Sequence, residues 1–221
     1  MMSWGNAVVV GAALAVGIVA SRPRPAPAGP APTPALAPAT QHERQSELVV
    51  PPVDGAPELD GELGEAIWRG AVARTGAFLD ASGAPARPYS DARVVAVRDE
   101  LVIALYAADE DIRTSGPVRD AFRVTVGSAT FEVSAAGELR GAPPGTRIGH
   151  DLDGTVDDAS DDDEEWVIEL AIPLAALGLD GRPAGREQRV AFAAERCDTT
   201  HDGLRSCGTA RHVLVLAAGQ H

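Results

Sequence analysis

From about Glu47 onward, apolar residues recur at every second position in short runs, and each run stops at glycine, proline or a cluster of charges. A period of two sends successive side chains to opposite faces of an extended backbone, so each run reads as a strand with one face in a core. "ARVVAVRDELVIALYAAD" gives two strands around a tight Arg98-Asp99-Glu100 turn. "AFRVTVGSATFEVSAAGEL" gives a second hairpin, turning at Gly127-Ser128 and ending at Gly137. "EWVIELAI" places Trp166, Ile168, Leu170 and Ile172 on one face, and "ELVVP", "RTGAFL", "RVAFAAER" and "RHVLVLA" supply further strands. Two short helices are expected: "GELGEAIWRGA", and "PLAAL" with Pro173 in its first turn and Gly178 as its stop. This many short strands between Gly/Pro turns predicts an all-β fold, an antiparallel β-sandwich with one or two short helices.

Charge narrows the partners. The 221 residues carry a formal charge of −13, and every one of the 19 basic residues is arginine. Such a surface repels phosphate and gains nothing from counterion release, so nucleic acid is not an expected partner. Aromatic residues make up only 4%, which leaves few stacking platforms.

The chain divides into three parts. Residues 1–20 hold one apolar run, "AVVVGAALAVGIVA", about the length of a signal-peptide core and short for a membrane span; counted from Met1, the stretch just suffices for an uncleaved anchor. "MMSWGN" before it lacks Lys and Arg, and Arg22 and Arg24 follow it, so cleaved and anchored forms both stay open. The expected location is exported: periplasmic, cell-surface or secreted, touching a membrane only through such an anchor. Residues 21–46 include "RPRPAPAGPAPTPALAPAT", a composition that buries no core and favours extended polyproline conformation. Residues 47–221 form the folded domain. Its two cysteines, Cys197 and Cys207, most simply form one disulfide in an exported chain. A metal site adding Asp198 and His201 is the alternative reading, with a ligand spacing that is not a standard one.

Several segments, taken in order, resemble the family 9 carbohydrate-binding module and its wider sandwich superfamily. "APELDGELGEAIWRGA" is similar to the family's opening Asp-Gly turn followed by Trp, and "ARVVAVRDELVIALYAADEDI" to its hairpin ending in acids. "DGTVDDASDDDEEWVIELAIPLAALGL" resembles its Gly-Thr turn, acidic loop, Trp strand and Ile-Pro helix entry. "VAFAAERCD" resembles the late strand that ends in Arg and Asp. The resemblance covers roughly residues 50 to 217. It implies a non-catalytic β-sandwich tied to polysaccharide handling, in which Asp60 and Gly61 make the entry turn and Trp68 plugs one end. It also implies sugar-binding positions: Asp109 and Asp111 from the hairpin, Arg196 and Asp198 from the late strand. Carboxylates and guanidinium groups suit paired hydroxyls. Tyr89, on the loop "DASGAPARPYSD", is the candidate stacking residue by position alone, with Phe78 near the same loop as a second; Trp68, Trp166 and Tyr106 read as core.

Other chemistry is weaker. Nine of the fifteen residues from Asp151 to Glu165 are acids. Two readings stay open: a solvated loop, or a Ca2+ site with Asp151, Asp153, Asp157 and Asp158 as ligands. No other cofactor is expected. Acid pairs abound, but no apolar cleft surrounds one as glycoside hydrolysis requires. No Gly-x-Ser-x-Gly or phosphate-binding glycine motif occurs, and the histidines are scattered. Two other classes remain as alternatives. One is an envelope protein–protein interaction or structural sandwich without sugar affinity. The other is a haem-binding electron-transfer domain, for which Met occurs only at Met1 and Met2 and Lys is missing.

Overall fold

The period-two runs become two sheets facing each other. The computed structural model describes residues 46–116, 118–158, 160, 162–179, 187–200 and 203–217. The expected leader or anchor, nearly all of the linker, and His201 lie outside the described residues. The strands are β1 (Ser46–Val50), β2 (Ala73–Arg74), β3 (Ser90–Val97), β4 (Glu100–Ala108), β5 (Ala121–Val126), β6 (Ala129–Ser134), β7 (Leu139–Arg140), β8 (Arg147–Asp153), β9 (Glu165–Pro173), β10 (Gln188–Thr199) and β11 (Arg205–Leu216). One sheet runs β1-β11-β10-β5-β6-β7; the other runs β2-β3-β4-β9-β8.

The hairpins fall where turn chemistry places them. β3 and β4 join through Arg98-Asp99, with Arg98 in the left-handed region at φ 49°. β5 and β6 join through Gly127-Ser128. A single helical turn, α1 (Ala66–Arg69), and a 3-10 turn, Leu174–Leu177, are the helices among the described residues. The second stops at Gly178, left-handed at φ 69°. The first is shorter than the sequence implies, and the second matches it to within one residue. The apolar residues around the first are consumed by packing on a sheet, not by extending a helical face.

Three strands depart from expectation. β1 pairs parallel to β11, so the six-stranded sheet is not wholly antiparallel. "RTGAFL" contributes only the short β2, and its Leu79 bridges to Thr209 of the other sheet. β8, "RIGHDLD", is a strand that its polar composition conceals.

Inward-facing residues of both sheets make the main core, including Leu101, Ile103, Leu105, Phe122, Phe131, Trp166, Ile168, Leu170 and Phe192. The Phe122 ring lies 4.8 Å from Trp166 and 6.0 Å from Phe78. Each such side chain, fully buried, contributes on the order of 1.5–3 kcal/mol. A second cluster lies on the outer face of the five-stranded sheet. There Trp68 packs on Val95, Val97, Val102, Ala104 and Ala171, with Leu59, Leu63 and Ile67 around it. The stretch from Pro57 to Trp68 is therefore a cover over half of that face. Cys197 and Cys207 are cross-strand partners on β10 and β11 and form a disulfide.

Candidate functional site

The cover is locked by one buried carboxylate. Glu169, on β9, points outward but is fully buried beneath the entry segment. Trp68 Nε1 donates to its Oε1 at 2.6 Å, and the amides of Asp60 and Gly61 donate to its Oε2 at 3.1 and 2.8 Å. Burial pushes this carboxyl up to about 7 against those three donors, and the Glu65 carboxylate adds to the rise. Backbones cross closely here. A Cβ on Gly61 (φ +92°) would sit 2.2 Å from the Asp151 amide, and one on Gly149 would sit 1.9 Å from the Leu59 carbonyl. The acid-and-glycine pattern around Asp60 and Glu65 thus serves docking, with exposed Asp60 and half-buried Glu65 of the cover gathered beside buried Glu169.

The cover leaves the other half of the same face open. A depression of about 400 Å3 lies there, lined by Gly61–Gly64 on one side and by Arg93, Tyr106, Asp151, Asp153, Glu165 and Val167. Tyr106 is half-buried and faces outward, which corrects its assignment to the core. Leu101, Ile103, Leu105 and Ala107 take the inward positions of β4, so the even-numbered residues point out. The ring of Tyr89 stands 6.0 Å from that of Tyr106, tilted by 58°, and is 42% exposed. Its hydroxyl donates to Asp91 Oδ2 at 3.0 Å, and Arg93 Nε lies 3.8 Å from the other oxygen of Asp91. Burial raises the Tyr106 phenol to about 12, aided by its hydrogen bond to the Glu165 carboxylate. Burial likewise raises Tyr89, with the Asp91 charge adding to it. Two neutral phenol rings therefore sit among carboxylates and a guanidinium. Such a set offers apolar faces to C–H surfaces and paired donors and acceptors to hydroxyls.

The other four expected sugar contacts are brought together, but inside the sandwich. Asp109, Asp111, Arg196 and Asp198 are 4%, 2%, 3% and 3% exposed. Arg196 crosses from β10 to the opposite sheet. It donates to Ala108 O at 2.6 Å, Ser90 Oγ at 3.2 Å, Asp109 Oδ2 at 2.8 Å and Asp198 Oδ1 at 2.7 Å. Its guanidinium carbon lies 5.6 Å from the Trp166 ring centre, and Trp166 Nε1 also donates to Asp109 Oδ2, at 2.8 Å. Asp111 accepts from Arg113 Nε at 2.9 Å. Arg196, through Asp109, Ser90 and Ala108, clamps the sheets to each other, and all four side chains are buried away from the surface. Asp120 completes a buried trio with Asp109 and Asp198. Burial, then the Asp109 charge, pushes Asp120 up to about 8. Burial also raises Asp198, to about 6, although Arg196 pulls it down.

The expected Ca2+ ligands do not converge. Among the described residues, three carboxylates come within 4.8 Å of one another only in the Asp60/Glu65/Glu169 and Asp109/Asp120/Asp198 groups. Asp151 and Asp153 are exposed on β8 and line the depression. Asp157 instead accepts from the amides of Thr114 and Ser115 at 3.0 and 3.2 Å and from Thr114 Oγ1 at 2.9 Å. Burial works against its ionised form, but these donors outweigh it and hold its carboxyl below the usual range. Asp158 accepts from the Ser160 amide at 3.0 Å. Asp163 pins the loop by accepting from the amides of Ile112 and Thr155, both at 2.6 Å. Asp157, Asp158 and Asp163 thus act one by one as acceptors for backbone amides.

No family model matches this sequence, and no curated protein matches it. Solved structures share the fold. A family 9 carbohydrate-binding module from Caldicellulosiruptor kristjanssonii, in complex with cellotriose, aligns with a TM-score of 0.59 at 11% identity, covering 79% of this chain and 95% of that one. A family 9 module from the same organism in complex with glucose aligns with a TM-score of 0.60 at 11% identity, covering 79% and 97%. The chain has the β-sandwich fold of family 9 carbohydrate-binding modules, as its motif order implies.

Proposed function

We propose that this chain is a non-catalytic, exported or surface-tethered module that binds polysaccharide on the open half of the five-stranded sheet. The observation that carries the reading is the Tyr89–Tyr106 pair beside a depression lined with Arg93, Asp151, Asp153 and Glu165. A sugar ring lies against the tyrosines, and the charged groups take its hydroxyls. Family 9 modules with this fold have been solved with cellotriose and with glucose, which supports a sugar as the ligand. Non-catalytic action fits the placement of the raised carboxyls. Asp120 and Glu169 are 1% and 0% exposed and reach no substrate. The disulfide is compatible with an oxidising, extracytoplasmic location.

Affinity electrophoresis through gels containing soluble β-glucans, xylans or mannans tests the reading. Retardation by at least one neutral glycan is expected. It should weaken about tenfold in Tyr106→Ala, with circular dichroism unchanged. Migration unaffected by every glycan, together with no pull-down on insoluble polysaccharide, overturns the proposal.

A further inference from the structure

The outer face of the six-stranded sheet carries a second surface of different chemistry. Arg123 on β5, Glu132 on β6, Arg140 on β7 and Glu195 on β10 form one lateral row. Glu195 faces Arg123, Arg123 faces Glu132, and Glu132 faces Arg140. With Arg119 and Arg205 they line a depression of about 480 Å3 that also includes the short side chains of Ala121 and Cys197. Four guanidinium groups and two carboxylates share this lining, so it is locally cationic on a chain of net charge −13.

Internal pairing uses part of that cationic capacity. Arg119 pairs with Glu132 and lies 3.7 Å from Glu138, which Arg140 also approaches at 3.5 Å. Among the described residues, neither Arg123 nor Arg205 takes part in an ion pair, and Arg205 donates only a 3.5 Å hydrogen bond to Thr199 Oγ1. The acidic loop, which joins β8 to β9 in the other sheet, reaches the rim of this depression through Asp157, which accepts from the amides of Thr114 and Ser115 beside the lining residue Gly116; those amides and Thr114 Oγ1 engage its carboxylate there.

We propose that this face binds an acidic polysaccharide, with Arg123 and Arg205 taking its carboxylate or sulfate groups as forked hydrogen-bond donors. The shape favours a polymer over a lone anion. From β11 to β7 the arginines span four strand spacings, about 19 Å, so recurring charges on one chain engage several of them. The guanidinium fork matches planar and tetrahedral oxyanions alike. The polymer class rests on the carbohydrate reading above; the surface itself is separate from the tyrosine pair.

The test is affinity electrophoresis of the full chain at low salt through polygalacturonate, heparin and a neutral glucan. Retardation by polygalacturonate or heparin is expected, weakening as NaCl rises, and whichever is bound assigns carboxylate or sulfate as the recognised group. Arg123→Ala combined with Arg205→Ala should weaken this at least tenfold while leaving Tm and neutral-glucan binding unchanged. Tyr106→Ala should leave polyanion binding intact. Migration unchanged by both polyanions, or retardation undiminished in the double arginine variant, overturns the proposal. Neutral-glucan binding without polyanion binding sinks this inference alone. Polyanion binding without any neutral-glycan binding sinks the tyrosine site alone.

Discussion

Replacing Arg196 by leucine should be among the costliest single changes in the domain. Leucine keeps apolar contact beside Trp166 but removes four hydrogen bonds: three tie β10 to Ser90, Ala108 and Asp109, and one runs along β10 to Asp198. It also strips the counter-charge from two carboxylates that are 4% and 3% exposed. Removing one partner of a buried ion pair costs about 3–5 kcal/mol, because the other is left charged and unsolvated. Native domains hold only about 5–15 kcal/mol in total, so the variant should sit near the edge of folding. The deficit should also depend on pH. Burial raises Asp198 to about 6, and Arg196 is the group that pulls it down. A carboxyl raised by folding contributes stability that is full below its unfolded value and fades as pH climbs through its folded value. Without Arg196 the folded value rises further, so the loss is larger at pH 8 than at pH 5, by about 1 kcal/mol or more. Urea unfolding at both pH values, with m held constant, measures this. A loss under about 1 kcal/mol at pH 8, or a loss independent of pH, would refute the clamp.

Three further outcomes follow from the same geometry. Wild-type stability should fall between pH 5 and pH 8, because Asp198, Glu169 and Asp120 are raised to about 6, 7 and 8 and all favour the protonated fold; a Tm that rises over this window contradicts it. Gly61→Ala should destabilise by about 2 kcal/mol or more, since its Cβ would lie 2.2 Å from the Asp151 amide; urea midpoints decide. Reducing the Cys197–Cys207 bridge, whose sequence separation is 10, should cost about 2–3 kcal/mol of loop-closure entropy, read by unfolding with and without reductant.

Strands with one buried face were legible because alternation alone defines them. β3, β4 and the Gly127-Ser128 hairpin stand where the period predicts, and so does the stop at Gly178. β8 was hidden because Ile148 and Leu152 are its only apolar side chains on an edge strand. β1 read as a strand, but nothing in "ELVVP" encodes that its neighbour runs parallel. The motif order pointed to Asp109, Arg196 and Asp198 together, and they do meet. Their burial was invisible because it depends on contact between distant segments; Arg196 and Asp109 are 87 residues apart, whereas Asp198 is only two residues from Arg196. Tyr106 could have been found by parity, since its neighbours Leu105 and Ala107 fill inward positions and an odd–even split sends it out. Among the acids of the loop, composition suggested a shared cation, whereas Asp157 and Asp163 are each occupied by backbone amides that no composition shows.

The central claim is that a neutral glycan settles on the tyrosine face. Amide chemical-shift mapping tests it most directly, by titrating the labelled protein with whichever soluble oligosaccharide the electrophoresis selects. The account predicts that the largest shifts cluster at Tyr89, Asp91, Arg93, Tyr106, Asp151 and Glu165. Shifts confined to the six-stranded sheet, or an unmoved spectrum at saturating glycan, would contradict it.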